Sequence, residues 1–309
     1  MPSAQPGTAE QQALLGDLVE RGLLVPSAVP GLYGRGAPFE RIRVALADLV
    51  TRAAAPEQPE PSAFPPLIPR RDLELVGYLK TFPHLAGSVF SFEGDEQAAA
   101  SQSELAAEHA DWSGYQSMTD VVLTPAACYP VYPAIAARGR LPVGGVTIDA
   151  GAAYVFRHEP SSDPARMQMF HQREMVRIGE PDVVHAWRET WREKAVETLS
   201  GLGLDAELEL ANDPFFGRAG RMLATSQRAQ ELKFEVTTPI AGPGRTAVAS
   251  FNYHQDHFGE AFHIELQDGS PAHSACLGFG LERITLALFA AHGFSFEDWP
   301  ESVRGQLWP

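Results

Sequence analysis

Apolar and polar positions follow two different rhythms along this chain. Near the N-terminus the apolar residues recur at helical spacing: Thr8 and Gln11 stand as a capping box, and Leu14, Leu15, Leu18 and Val19 then predict an amphipathic helix. A second helix is predicted over 38–55, with Ile42, Leu46, Leu49 and Val50 facing inward. Pro56, Pro59, Pro61, Pro65, Pro66 and Pro69 crowd the next stretch, too many for any regular element, and predict a linker. Residues 1–69 thus form a small helical appendage with its linker, and 70–309 the main domain. Beyond the linker the rhythm shortens to two. Strands are predicted at 87–92, 120–123, 145–148, 152–159, 166–177, 206–210, 232–237, 246–251 and 261–267. Helices are predicted at 182–199, 216–228 and 281–292. Strands joined by short polar loops imply an α+β fold, an antiparallel sheet with helices packed on one side, and exclude a Rossmann arrangement.

Composition adds limits. A chain of 309 residues with 44% hydrophobic content can bury a substantial core. No apolar run approaches the ~20 residues that cross a bilayer, and the N-terminus has no basic region followed by an apolar one. A cytoplasmic protein with no membrane partner is the expectation. The net charge of −15 repels a polyanion on average, so a nucleic-acid or acidic partner needs a local basic patch. Arg218, Arg221 and Arg228 supply one, sharing a face of the helix at 216–228, with Lys233 nearby. A solvated surface explains them equally well.

The candidate chemistry lies in a long hairpin and in a glycine pair. Arg157 and Glu159 are two apart in a strand-like run, and the chain returns through 166–174, so Arg157, Glu159, Arg166, Phe170 and Glu174 fall on one surface. Guanidinium groups suit phosphate oxygens, Phe170 offers a flat face for a base, and a carboxylate accepts from an exocyclic amine or holds an ammonium. Gly278 and Gly280 open the helix at 281–292, with Arg283 in its first turn. Singly these features read as a cross-strand ion pair and an ordinary turn. The two cysteines, Cys128 and Cys276, are far apart in sequence; in a reducing compartment no disulfide is expected, and both suit buried positions.

Together, Phe156-Arg157-His158-Glu159, Met169-Phe170-His171-Gln172-Arg173-Glu174 and Gly278-Phe279-Gly280-Leu281-Glu282-Arg283 resemble motifs 2 and 3 of the class II aminoacyl-tRNA synthetases. With Asn252-Tyr253-His254-Gln255-Asp256-His257-Phe258-Gly259 and the run from Gly77 to Gly87, the chain is most similar to the amino acid:carrier protein ligases, truncated homologues of seryl-tRNA synthetase. The likeness spans roughly residues 70 to 295. It departs at the motif 2 loop, where 160–165 lack the glycines of the synthetases, whose loop touches the tRNA acceptor end. No heptad stretch corresponds to their tRNA-binding coiled coil.

The resemblance implies a class II synthetase-like sheet, a homodimer, and two steps. A small amino acid, glycine or alanine, is activated by ATP with Mg²⁺ as an adenylate, then passed to the phosphopantetheine thiol of an acyl-carrier-type protein; tRNA is an unlikely partner. It assigns Arg157 to the α-phosphate and Arg283, helped by Arg166, to the γ-phosphate. Phe170 and Glu159 go to adenine. Met167, Lys233, Glu235, Ala247, Val248, Ala249 and Ser250 line the ATP site. Asn252 and Glu174 contact the amino acid. Cys128, Glu174 and Cys276 are implied ligands of Zn²⁺, leaving one position for the substrate amine. His254, His257, His263 and His273 form the rival metal set. Arg218, Arg221 and Arg228 become a docking face for the carrier protein. A seryl-tRNA synthetase and a non-catalytic paralogue stand as alternatives, the latter expected to have lost Arg157 or Arg283.

Overall fold

The computed structural model describes residues 6–309. Helix α1 (Ala9–Glu20) leads through a hairpin of β1 (Leu24–Pro26) and β2 (Tyr33–Arg35) into α2 (Ala37–Ala54). The strands β3 (Glu60–Pro61) and β4 (Leu67–Pro69), the short helices α3 (Arg70–Leu75) and α4 (Tyr78–Thr81), and β5 (Ser88–Phe92) follow. Next come α5 (Glu96–Ala107), β6 (Gln116–Leu123), α6 (Val131–Ala136), and the long strands β7 (Val146–Phe156) and β8 (Met169–Gly179). The chain continues through α7 (Pro181–Gly201), β9 (Glu207–Leu210), α8 (Gly217–Ala229), β10 (Lys233–Pro239) and β11 (Arg245–Gln255). It closes with α9 (His257–Phe262), β12 (His273–Gly280), α10 (Leu281–His292) and α11 (Glu301–Leu307).

A seven-stranded sheet in the order β3-β7-β8-β12-β11-β10-β9 carries the fold, antiparallel throughout except for the β3–β7 pair. Period-two alternation sorts its side chains. Met175, Phe251, Leu277 and Phe279 meet Trp191 and Ala195 of α7 and Ile284 and Leu288 of α10 in the larger core. The N-terminal helices share that core through Leu18, Phe39, Ile42 and Leu46. The opposite face carries Val176, Ile178 and Cys276 into a second cluster with Cys128, Tyr132 and Phe258. That second face holds the candidate site.

The Thr8–Gln11 capping box is present, and α2, α7, α8 and α10 fall within a residue or two of their predicted bounds. The proline-rich stretch, expected to contain no regular element, instead contributes β3 and β4, which pair with β7 and β6. Proline is tolerated there because each of these strands pairs along one side only, so a missing N–H breaks no central ladder. The strands predicted at 145–148 and 152–159 are one strand, β7, interrupted by a bulge between Asp149 and Ala152. The strand predicted at 261–267 is absent: α9 runs through Phe262, His263 turns left-handed, and only an isolated Glu265–Pro271 bridge remains. The segment folds back on itself instead: the Ile264 N–H donates to the Gly259 oxygen at 2.9 Å, and Gly259 packs so closely on Ala272 that a Cβ would lie 2.1 Å from the Ala272 oxygen. Helix α5, whose Asp95 accepts from the Ala98 N–H at its N-cap, was not predicted. Among the described residues no helix is long and apolar enough to cross a membrane.

Candidate functional site

Four strands and the start of α10 aim side chains into one cavity of about 420 Å³. On β8, Phe170, Gln172 and Glu174 share a face at successive period-two positions, and β10 adds Lys233 and Glu235. On β11, Ala247, Val248, Ala249, Ser250 and Asn252 line the wall; β12 brings Cys276 and Gly278, and α10 brings Arg283. Arg157 enters just past the end of β7, where its N–H donates to the Gln168 oxygen at 2.8 Å.

Neither arginine has a carboxylate partner among the described residues. Arg157 Nε donates to the Pro125 oxygen at 3.2 Å, and its guanidinium lies 5.6 Å from the Phe170 ring centroid. Arg283 donates to the backbone oxygens of Ala165 at 2.8 Å and Ala247 at 2.9 Å. Desolvation, with repulsion from Arg157 added, pushes the Arg283 pKa below its usual value. Two guanidinium groups that destabilise one another in a shared cavity are stabilised by an anion between them.

Other cations here are already satisfied. Lys233, read above as part of the surface patch, is instead buried on β10 and bonded to Asp213 at 2.6 Å and Glu235 at 3.0 Å. Burial opposes both charges of the Lys233–Asp213 pair, but their attraction wins: the lysine pKa is raised and the Asp213 pKa lowered. Glu159 and Arg166 pair with each other at 3.4 Å outside the cavity wall, and Met167 is buried in the larger core. Arg218, Arg221 and Arg228 are exposed on α8, apart from the cavity, but Leu223 and Gln227 of the same helix line its mouth.

At the other end, Cys128, Glu174 and Cys276 converge with their ligand atoms within 4.8 Å of one another, all buried. The Cys128 N–H donates to Glu174 Oε2 at 3.0 Å, and no cation lies within ion-pair distance of that carboxylate among the described residues. Desolvation raises the Glu174 pKa; the contact with Cys128, together with burial, pushes the Cys276 thiol well above its usual range. Two thiols and a carboxylate collected out of water are a costly arrangement without a cation, and the donor set suits zinc with an open fourth position. Of the rival histidines only His254 approaches, with Nε2 at 3.6 Å from Cys276 Sγ; Asn252 Nδ2 lies at 3.7 Å. Burial drives the His254 pKa down to about 3, and Tyr132 and Ser274 hold its Nδ1.

Sequence reasoning missed Gln172, Tyr129, Asp213 and the aromatic wall behind the triad, where the Tyr132 and Phe258 rings stack 3.8 Å apart. Gln172 had a signal, since it stands between Phe170 and Glu174 on the same face.

The chain matches no protein-family model. It is 44% identical over 308 residues to amino acid–acyl-carrier-protein ligase 1 of Bradyrhizobium diazoefficiens, covering 98% of this chain and 92% of that one. Ligase 2 of the same organism is 44% identical over 279 residues, covering 90% and 83%. Among solved structures, the seryl-tRNA synthetase of M. kandleri in complex with an A. aeolicus tRNA superposes with a TM-score of 0.80 at 21% identity, over 99% of this chain and 61% of that chain.

Proposed function

The chain belongs to the amino acid–acyl-carrier-protein ligases, and from that premise we propose that it activates glycine or alanine with ATP and passes the aminoacyl group to a carrier protein's phosphopantetheine thiol. The observation that carries this reading is one cavity with two arginines at one end, free of carboxylate partners among the described residues, and the Cys128, Glu174, Cys276 triad at the other. A polyphosphate fits the first and a primary amine the second.

In the first step a carboxylate oxygen of the amino acid bonds to the α-phosphorus while the bond to pyrophosphate breaks. Little covalent work falls to the protein, so catalysis is positioning and charge stabilisation. Arg157 holds the α-phosphate and Arg283 the γ-phosphate, with Arg166 swinging in from the rim. Phe170 stacks on adenine, Glu159 accepts from its amino group where the base reaches the cavity rim, and Mg²⁺ would accompany the triphosphate. Lys233 and the 247–250 backbone shape the ATP wall. Cys128, Glu174 and Cys276 would hold zinc, which when bound supplies a Lewis-acidic position selective for a free amine. Asn252 flanks the amino acid. In the second step the thiol sulfur bonds to the acyl carbon, AMP leaves with the phosphate oxygen, and the thiol proton passes to solvent.

The stacked Tyr132 and Phe258 behind the triad support a small side chain. Against a tRNA acceptor stands the motif 2 loop, which is tied down: Gln11 Nε2 of α1 donates to Asp163 at 3.0 Å, and the Gly7 N–H to Ser162 at 2.8 Å. The homodimer belongs to the same reading, as does the division between residues 1–69 and a catalytic region at 70–309, within which every residue assigned a role here falls.

Amino-acid-dependent ATP–pyrophosphate exchange, run with all twenty amino acids, tests the proposal. Exchange with glycine or alanine alone is expected. Exchange with serine alone would overturn the substrate, and exchange with none would overturn the reaction. The docking face is tested separately. Reversing charge at Arg218, Arg221 and Arg228 together should raise KM for a phosphopantetheinylated carrier by about tenfold or more while pyrophosphate exchange is unchanged. An unaltered KM removes α8 from the docking surface.

A further inference from the structure

Gln172 is 8% exposed, lines the cavity and has no part in the roles assigned above. Its Oε1 accepts from the Ala127 backbone N–H at 3.1 Å. A backbone N–H can only donate, so this bond fixes the amide orientation and turns Nε2 away from Ala127. No group among the described residues accepts a hydrogen bond from Nε2. Space for that amide is kept by Gly278, where a Cβ would stand 3.0 Å from Gln172 Nε2. A buried side chain thus presents two unused N–H donors at a cleared point of the wall.

The position of that point is informative. Phe170, Gln172 and Glu174 succeed one another on one face of β8, each about 7 Å from the next along the strand. An aminoacyl-adenylate with its base at Phe170 and its amine at Glu174 has its carboxyl carbon between them. We propose that Gln172 is a further catalytic residue, whose side-chain N–H groups bind the carboxylate oxygen that does not attack phosphorus. The inference rests on the ligase reading above.

The chemical need is specific. A substrate carboxylate entering between the Glu174 carboxylate and a triphosphate meets negative charge on both sides, and an N–H donor offsets it without adding an ion. Binding one oxygen also turns the other toward the α-phosphorus. That attacking oxygen forms the O–P bond as the bond to the pyrophosphate oxygen breaks; pyrophosphate leaves with the electron pair, and no proton moves. The oxygen held by Gln172 becomes the carbonyl oxygen of the adenylate.

Gln172→Glu and Gln172→Ala separate this role from simple anchoring of the Ala127–Cys128 segment. The glutamate keeps an acceptor for the Ala127 N–H but removes both donors; the alanine removes acceptor and donors together. If Gln172 binds the carboxylate, kcat/KM for the amino acid in pyrophosphate exchange falls roughly 10- to 100-fold in the alanine variant and at least as far in the glutamate variant. Bound zinc and KM for ATP stay at wild-type values in both. The proposal is overturned if Gln172→Glu exchanges like wild type, or if Gln172→Ala with full zinc does so. It is also overturned if Gln172→Ala loses zinc and activity together while Gln172→Glu retains them. Should the glutamate variant fail to fold, the alanine variant with its zinc content decides alone. Wild-type protein is the control: if it exchanges with no amino acid, the ligase reading itself has failed, whereas wild-type exchange with unaffected variants removes only Gln172.

Discussion

Cys276→Ser is expected to yield a folded protein that retains little zinc and loses pyrophosphate exchange. The loss should exceed the roughly 10- to 100-fold decrease caused by removing a partner outside the ligand sphere. Cys276 is 2% exposed on the central strand β12, and its sulfur meets Cys128, Glu174, Asn252 and His254. A serine hydroxyl nearly matches the thiol in size and finds the same Asn252 and His254 nitrogens, so folding survives. It is a far poorer ligand for a borderline-soft cation. With one ligand gone, Glu174 and Cys128 no longer form a closed set, and the amine of the substrate loses its anchor. Metal analysis of the purified variant, its thermal melt and its exchange rate are read together. Normal exchange by the metal-free variant would sink the metal assignment, and a variant with full zinc would remove Cys276 from the ligand set.

Arg157→Ala is expected to lower kcat for pyrophosphate exchange by about 10²- to 10³-fold, the size of effect seen when a preorganised donor to a developing charge is removed. Its zinc content should be unchanged. The hydrogen bond of Arg157 to Pro125 and its contact with Phe170 leave most of the guanidinium donors free, in a cavity where Arg283 adds a second positive charge. Lysine at this position keeps the charge but not the fork, so Arg157→Lys should recover only part of the loss. Exchange within threefold of wild type in Arg157→Ala would mean that the α-phosphate is gripped elsewhere.

The N-terminal helices were legible in the sequence because each has one wet face, which leaves a helical period, and because the Thr8–Gln11 cap is a local interaction. The β7–β8 hairpin was legible for the same kind of reason. It correctly brought Arg157, Phe170 and Glu174 to one cavity, but it put Glu159 and Arg166 there too, whereas those two pair at the rim. Strand β12 left no such trace. Buried on both faces between β8 and β11, it reads as an unbroken run of small and apolar residues, with no polar side to set a period. The false strand at 261–267 is the converse, an alternation without a ladder, where α9 runs to Phe262 and the Ile264 N–H turns back to the Gly259 oxygen.

Legible from the chain alone were the α+β class, the helices α1, α2, α7, α8 and α10, the motif arginines and, through family resemblance rather than spacing, the triad of Cys128, Glu174 and Cys276. The meeting of these three residues, with their ligand atoms within 4.8 Å, comes from the tertiary structure. That structure alone separated buried Lys233 from the exposed arginines of α8, tied the motif 2 loop to α1, and left Gln172 Nε2 without an acceptor among the described residues. The physical reason is range. Periodicity and capping are set by neighbours a few residues apart, whereas burial, charge pairing and unused donors depend on which distant strands the folded sheet makes adjacent.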